Sequence, residues 1–228
     1  MTRDGRQLSR EAIVSGVLNR LLTAPGMPFH ALTEVERTTS LKATLASYPG
    51  GIDGAGVWLF AYGSLIWNPT FEYCEQSIGT IYGWHRRFCV GAPAGRGTLE
   101  RPGLVLGLDR GGSCRGIVFR IAVDRVDREL DILWRREMAV DCYEPRWVRV
   151  AMKKRSAFAI AFVMKRNAPN YENPISEERL IRRIVAAVGE LGSNAEYLLE
   201  TVEGLRRAQV PDPYLERLAA AVEAKRSS

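Results

Sequence analysis

The stretch Val57-Trp-Leu-Phe-Ala-Tyr-Gly-Ser-Leu-Ile-Trp-Asn-Pro69 begins with an unbroken apolar and aromatic run, Val57 to Tyr62. A run of this length is typical of a strand buried on both faces and is too short for a helix. Gly63 and Ser64 then interrupt the run. Glycine directly after a buried strand permits positive φ and lets a ligand approach main-chain N–H groups, which can bind anions. The pattern therefore predicts either an ordinary strand and turn or a strand followed by a ligand-binding turn.

Length and composition indicate a globular protein with one domain, or one domain with an appendage. The chain has 228 residues, of which 46% are hydrophobic and 25% are charged. No apolar run approaches the roughly 20 residues that span a bilayer. The first residues contain no apolar core of a signal peptide. We therefore expect a cytoplasmic location and no membrane partner.

The charge pattern and the cysteine content argue against two classes of function, nucleic-acid binding and metal binding. The net charge is +6, from 32 basic and 26 acidic residues, which suits small anionic substrates as well as nucleic acid. The basic residues form no run of five or more, so nucleic acid is not the expected partner. The four cysteines form no Cys-x-x-Cys pair and there are only two histidines, so no metal site is expected. We expect free, mostly buried thiols.

The predicted elements are helices, then a region of strands, then helices again. Before the first strand we predict a helix capped by Ser9, a second helix after Thr33, and a glycine-rich linker at residues 48–56. Further strands are predicted at residues 79–84, 87–90, 104–108, 114–121, 147–152 and 157–163, with Asp109–Gly112 as a hairpin turn. Three helices are predicted at the end of the chain. The first is capped by Ser176 and carries Val188 on its apolar face. The second begins near residue 193, and the third begins at residue 212.

A helix between these strands places a carboxylate on an apolar face. Asp124 is predicted as its N-cap, and its apolar stripe is Val126, Leu130, Leu133 and Trp134. At 3.6 residues per turn, Glu137 returns to nearly the azimuth of Val126, whereas Arg135 and Arg136 are predicted to point away from the stripe. Glu137 is then either a frayed helix end in solvent or a buried acid, and the spacing does not separate these two.

Four segments resemble one family. Tyr62-Gly63-Ser64-Leu65 with Trp67 and Pro69 resembles the signature of the ChaC family of γ-glutamylcyclotransferases. Trp134–Met138 followed by Tyr143 resembles the Arg-Glu segment of that family, in the longer bacterial spacing. Arg86-Arg87-Phe88 and Asn194–Leu198 resemble two more of its segments. The resemblance runs from about Val57 to about Tyr197.

The resemblance implies an α+β fold with a mixed, partly closed β-barrel core and flanking helices. It implies that Glu137 is the catalytic acid/base. The substrate-binding residues it implies are Tyr62, Gly63, Ser64, Leu65, Ile66, Trp67, Arg87, Tyr143 and Tyr197. Two of these keep an ordinary alternative, because Arg87 also suits a solvated strand edge and Tyr197 a half-buried core position.

The resemblance also implies a reaction. Enzymes of this family cleave glutathione to 5-oxoproline and Cys-Gly, because the α-amine of the γ-glutamyl group attacks its own γ-carbonyl. The substrate supplies the nucleophile, so the enzyme holds the chain bent and provides a carboxyl group that takes and returns a proton. The expected partner is this small molecule, and no metal or organic cofactor is expected.

The family resemblance also divides the chain. Residues 1–55 are predicted as an N-terminal helical extension with the glycine-rich linker, and residues 56–228 as the catalytic domain. Because the resemblance begins after the linker, we expect a chain without its first 50 residues to keep measurable catalysis.

Two other functions remain open from the sequence. Ser64 follows a strand and, with His85 and an aspartate, would suit a serine hydrolase. The Gly-x-Ser-x-Gly motif of such an enzyme is absent, since Ser64 stands in Tyr-Gly-Ser-Leu. The other alternative is a non-catalytic binding or regulatory protein on the same scaffold, against which the intact Glu137 argues.

Overall fold

The structure is a computed structural model and describes residues 8–49 and 56–227. In these ranges the strands are β1 (Val57–Ala61), β2 (Glu75–Ala92), β3 (Gly103–Ile121), β4 (Tyr143–Met152), β5 (Ser156–Met164), β6 (Val188–Gly189) and β7 (Gly192–Ser193). The helices are α1 (Arg10–Val14), α2 (Val17–Leu22), α3 (Glu34–Ala46), α4 (Ser64–Trp67), α5 (Val126–Glu137), α6 (Glu177–Ala186), α7 (Asn194–Arg207) and α8 (Pro213–Ser227). Most of the predicted linker, residues 50–55, lies outside the described residues.

Five strands close into a barrel in the order β1-β3-β2-β4-β5. The pairs are antiparallel except β1 with β5, whose parallel pairing completes the ring. Every residue of β1 is buried, because Trp58 and Phe60 lie in a cluster made of strand residues and Tyr62, whereas Leu59 and Ala61 lie in the cluster shared with the helices. The mixed barrel with flanking helices agrees with the prediction, and its ring is complete.

The long hairpin of β2 and β3 differs from the prediction. These are continuous strands of 18 and 19 residues, where several shorter ones were predicted. The predicted turn at Asp109–Gly112 is wrong, since its first residues pair with Trp84 and His85 inside the sheet. A register shift between Tyr82 and Trp84 accommodates the glycines as an irregularity of the ladder. The strands are instead connected by residues 93–102.

The helices before β1 follow the predicted caps but not the predicted length. The Ser9 hydroxyl accepts a hydrogen bond from the Ala12 N–H at 3.1 Å, as expected for an N-cap. The single predicted helix is two helices, because the chain turns at Gly16, whose φ is 74°. The next helix, α3, begins with a capping box between Thr33 and Glu36.

Two later helices also differ at their ends. Asp124 does not cap α5; it lies in a 3-10 turn, Val123–Arg125, that precedes the helix. α6 ends at Ala186, so Val188 stands in β6 with 58% of its surface exposed instead of on the apolar face of a helix. The caps of Ser176 on α6 and Ser193 on α7 agree with the prediction.

The state of the cysteines agrees with the prediction of free, mostly buried thiols. All four cysteines are free thiols, and Cys89, Cys114 and Cys142 are buried. Within residues 8–49 and 56–227, no helix combines the length and apolar character that crossing a bilayer requires. In the same described ranges, no group of three or more His, Cys, Asp or Glu residues is placed to hold a metal ion.

Helix α7 fixes the position of α4, the short helix that follows β1. The indole N–H of Trp67 donates to the Thr201 hydroxyl at 3.3 Å. A methyl group added at Gly204 would stand 2.7 Å from Cβ of Trp67, so the two helices touch at a position where only glycine fits. This contact holds the segment after β1 in a single place relative to α7.

We predict that Gly204→Ala destabilises the fold. Alanine is the better helix former, but the new methyl group meets atoms close to the backbone of α4 and costs about 1–3 kcal/mol through overpacking. Urea unfolding of this variant measures the loss, and Glu203→Ala on the exposed face of the same helix is the control. An unchanged unfolding midpoint for Gly204→Ala would contradict the close contact.

Candidate active site

A cavity of about 230 Å³ lies where the segment after β1, the β2–β3 connection and the end of α5 meet. Most of the site residues predicted from the sequence line it. These are Tyr62, Gly63, Ser64, Leu65, Trp67, Glu137, Tyr143 and Tyr197. The structure thus brings together residues from four separate stretches of the chain.

Glu137 is the last residue of α5 and faces this cavity. Its side chain is 15% exposed, so the alternative of a frayed end in solvent is wrong. Burial raises the pKa of Glu137 above its ordinary value of 4.5, while the neighbouring Arg136 acts in the opposite direction. The result is a carboxyl group that gains a proton more readily than an exposed glutamate does.

Arg136 is the partner of Glu137 and was missed by the sequence analysis, which predicted that it points away. Its side chain is only 6% exposed, and its Nε lies 3.0 Å from Glu137 Oε1. Its other nitrogens donate to the Ser64 and Thr70 hydroxyls, each at 3.0 Å, and to the Asn68 carbonyl. A long side chain on the flank of the apolar stripe can reach back over the helix end, so the azimuth of its Cα alone did not decide its direction. Burial lowers the pKa of Arg136, which Glu137 partly offsets.

Three tyrosines line the same cavity as the Glu137 carboxyl group. The Tyr62 hydroxyl donates to the Phe162 carbonyl at 3.0 Å, and the Tyr197 hydroxyl accepts from the Leu106 N–H at 3.2 Å. Burial raises the pKa of Tyr62 and Tyr143 well above 10, and raises the pKa of Tyr197 to about 12. All three therefore stay neutral at ordinary pH and offer hydroxyl groups, not charges.

The turn after β1 differs in conformation from the prediction. Gly63 has φ −140°, not the expected positive φ, and its carbonyl accepts from the Ile66 N–H at 2.9 Å. The space beside Gly63 does not by itself require glycine, because a Cβ there would make only ordinary van der Waals contacts. A side chain at position 63 would project towards Leu106 and the Tyr197 hydroxyl, at 3.7 and 3.8 Å, and so into the lining of the cavity.

The structure does not assemble a serine hydrolase site. The Ser64 hydroxyl accepts a hydrogen bond from Arg136, a guanidinium that cannot act as a base. His85 does not line the cavity, and its Nδ1 lies 3.0 Å from the Gly111 carbonyl oxygen. Ser64 and His85 therefore belong to different places in the fold.

Two further predicted residues also lie outside the cavity lining. The Arg87 guanidinium donates to the Asp109 carboxylate at 2.7 and 3.1 Å and to the Glu172 carbonyl at 3.1 Å. Ile66 packs against the core cluster that the barrel shares with the helices. The two side chains are therefore engaged in contacts away from the cavity lining.

The cavity also contains residues that the sequence analysis did not single out. Arg96, from the β2–β3 connection, lies over Tyr197 with its guanidinium carbon 5.7 Å from the ring centroid. Five apolar residues come from before β1: Leu8, Leu18, Leu21, Leu22 and Phe29. Leu18, Leu21 and Leu22 fall on one face of the helix predicted after Ser9, but the sequence did not show what that face covers.

The fold is shared with a solved structure. The crystal structure of a yeast γ-glutamyl cyclotransferase specific to glutathione matches with a TM-score of 0.68, covering 75% of this chain and 97% of that one. The two sequences are 22% identical, so this match shows the fold alone. The closed barrel with its flanking helices is therefore a γ-glutamylcyclotransferase-like fold.

Sequence comparisons then give the family. A family model described as ChaC-like protein matches residues 57–225. A glutathione-specific γ-glutamylcyclotransferase of Escherichia coli K12 is 40% identical over 189 residues, covering 82% of this chain and 80% of that protein. Human glutathione-specific γ-glutamylcyclotransferase 1 is 32% identical over 177 residues, covering 75% of this chain and 79% of that protein. The chain belongs to the ChaC-like family.

We predict that Tyr197→Phe lowers stability, because the variant leaves the buried Leu106 N–H without its acceptor. An unsatisfied buried donor costs about 1–3 kcal/mol. Thermal unfolding checks this, with Tyr214→Phe at a partly exposed position as the control. A Tyr197→Phe variant as stable as the control would show that this hydrogen bond does not hold α7 against the barrel.

Proposed function

We propose that this chain is a γ-glutamylcyclotransferase that converts glutathione to 5-oxoproline and Cys-Gly. The observation that carries the proposal is the buried Glu137 carboxyl group, which faces the same cavity as the Tyr62–Leu65 segment. The names of the Escherichia coli and human relatives support glutathione as the substrate. The cytoplasmic location, the absence of a nucleic-acid partner and the division of the chain after residue 55 stay predictions.

Glu137 moves the proton in the proposed mechanism. The α-ammonium group of the substrate, with a pKa near 8 in solution, must lose a proton before its nitrogen attacks the γ-carbonyl. Ionised Glu137 takes that proton and, as the ring closes, gives it to the nitrogen of the departing Cys-Gly while the C–N bond breaks. The second proton that the attacking nitrogen sheds on becoming the lactam N–H leaves on the same amine, so Cys-Gly is released as an ammonium and Glu137 is ionised again. A pKa raised by burial suits both steps, because the group is a stronger base than an ordinary carboxylate and still a usable acid.

The surrounding residues hold the substrate bent. The first N–H groups of α4, at Ser64 and Leu65, precede any intrahelical acceptor and are our candidates for the donors to the γ-carbonyl oxygen. Neutral Tyr143 and Tyr197 offer hydroxyl groups to the substrate carboxylate. Fixing the amine next to the γ-carbonyl is the main source of rate, since the reaction is internal to one molecule.

The direct test is incubation of the pure protein with glutathione in excess chelator. We expect 5-oxoproline and Cys-Gly in equal amounts, because each molecule of glutathione gives one of each. We expect full activity in the chelator, because no step of the proposed mechanism uses a metal ion. If neither glutathione nor any other γ-glutamyl peptide yields 5-oxoproline, the proposed function is wrong.

We predict that Glu137→Gln abolishes most of this activity and keeps the fold. The amide is nearly isosteric but cannot exchange the proton, and such groups contribute about 10²–10⁴-fold to the rate. Turnover of glutathione measures the loss, with circular dichroism as the check on folding. Glu144→Gln, at a half-exposed surface pair with Arg146, is the matched control and should retain full activity. A Glu137→Gln enzyme within a few-fold of wild type would remove Glu137 from this role.

The pH dependence gives a second prediction. Because Glu137 acts as a base, kcat/KM should fall as the pH drops through the pKa of Glu137. The midpoint of this acid limb of the pH–rate profile should lie above 4.5, the pKa of an ordinary glutamate. Arg136 is the group that holds this pKa down, so Arg136→Met should move the limb to higher pH. Arg135→Met, whose side chain pairs with Asp131 instead, should leave the limb in place.

Rate profiles against pH for the wild type and both variants provide the measurement. A limb that stays in place in Arg136→Met, or that moves equally in Arg135→Met, would contradict the electrostatic role of Arg136. Circular dichroism separates a shifted limb from a loss of folded protein.

A further inference from the structure

One side of the catalytic cavity is formed by the N-terminal extension. The apolar wall, as we name it, consists of Leu8, Leu18, Leu21, Leu22 and Phe29. Each of these side chains is half-buried, so the protein itself leaves part of their apolar surface uncovered. Apolar surface that remains open inside a cavity is what a pocket offers to the uncharged part of a ligand.

A buried ion pair anchors the start of this wall. The Arg10 guanidinium donates to both carboxylate oxygens of Glu129, at 2.5 and 2.9 Å, and Glu129 is fully buried. Burial by itself raises the pKa of Glu129, but hydrogen bonds from Arg10, the Glu72 N–H and Arg128 outweigh it and lower the pKa to about 2. The pair is therefore ionised at neutral pH and joins α1 to α5, the helix that carries Glu137.

A chain of hydrogen bonds joins the extension to the catalytic pair. The Leu8 carbonyl accepts from the Asn68 side-chain amide at 2.9 Å. The main-chain carbonyl of the same Asn68 accepts from Arg136, the partner of Glu137. The start of the extension and the Arg136 guanidinium therefore share one residue of the segment after α4.

The end of the wall is anchored beside Glu137. Residues 30–32 pair with residues 139–141 across a β-bridge, with N–H to O distances of 3.0 Å on both sides. Leu22 and Phe29 also pack on a small core cluster that contains Val140 and Cys142. The chain between the two anchors, which holds α1 and α2, is thus fixed along the cavity.

The two sides of the cavity differ in chemistry. The side with Glu137, Arg136 and the start of α4 offers charges and hydrogen-bonding groups, which suit the ammonium and carboxylate of a γ-glutamyl group. The residues that the extension contributes are all apolar. A charged side chain placed against them would lose its hydration without gaining a partner.

We infer that the apolar wall is the subsite for the residue that follows the γ-glutamyl group, and that it selects a small uncharged side chain there. The inference rests on the proposed function and assigns the leaving-group side of the substrate to residues outside the matched family region. It also argues against the expectation that the extension is dispensable for catalysis.

The test uses the full chain and a set of γ-glutamyl tripeptides that end in glycine and differ in the middle residue. These are glutathione and its analogues with alanine, glycine or aspartate in place of cysteine. Wild type should prefer cysteine and alanine to glycine, and glycine to aspartate. The variant is the double substitution Leu18→Ala and Leu21→Ala, and Val14→Ala, on the exposed side of α1, is the control.

We expect the double variant to raise KM for glutathione about ten-fold, the loss expected when roughly two methylene-sized contacts disappear. Its KM for the glycine analogue, which has no side chain to place on the wall, and its kcat should stay within about two-fold of wild type. Val14→Ala should match wild type on every peptide. Circular dichroism confirms that each variant is folded.

The outcomes separate this inference from the proposed function. A wild-type protein that yields 5-oxoproline from none of the peptides overturns the proposed function. An active wild type whose double variant shows no change in KM, or an equal rise for glutathione and the glycine analogue, overturns the subsite. A fall in kcat with unchanged KM also overturns it, because the wall would then act on the reacting groups.

As a complementary variant, Leu21→Lys places a cation on the wall. The inference requires that it improve kcat/KM for the aspartate analogue relative to glutathione. If that ratio does not change, the middle residue of the substrate does not meet the wall.

Discussion

The contact between Arg136 and Glu137 at the end of α5 is the interaction on which the site depends. Two charged side chains lie almost out of water, which is costly unless each finds partners. Arg136 meets this cost by donating to Glu137, to two hydroxyl groups and to a carbonyl of the segment after β1. The same bonds fix that segment against α5, so the packing of the barrel and the geometry of the cavity share one set of contacts.

Much of the fold could be predicted from local patterns. Three kinds of feature depend only on neighbours in sequence and were predicted. They are the buried run Val57 to Tyr62, the caps at Ser9, Ser176 and Ser193, and the two-strand unit of β4 and β5. The turn predicted at Asp109–Gly112 failed because glycine also occurs in bulges, and only the partner strand decides between a bulge and a turn. The length of β2 and β3 is likewise a property of their pairing.

The site residues could be predicted from the sequence only where a residue of suitable chemistry stands in a segment that resembles a family motif. The azimuth of Glu137 and the Tyr62–Leu65 segment pointed to residues that the fold brings to one cavity. The direction of Arg136 was not predictable, because a flexible side chain on the flank of a helix turns towards whatever partners the tertiary structure provides. The apolar wall was hidden for a similar reason. An amphipathic helix shows that it covers something, and the anchors that place it over the cavity come from residues about a hundred positions away.

The central claim is that the substrate amine is the only nucleophile and that Glu137 moves the proton for it. Reaction of glutathione in water enriched in oxygen-18, followed by mass spectrometry of the products, tests this most directly. The account predicts 5-oxoproline without the heavy isotope, because ring closure expels Cys-Gly and no water enters the new bond. Glutamate carrying oxygen-18 in its γ-carboxyl group would contradict it, since water would then have attacked the γ-carbonyl or an acyl-enzyme.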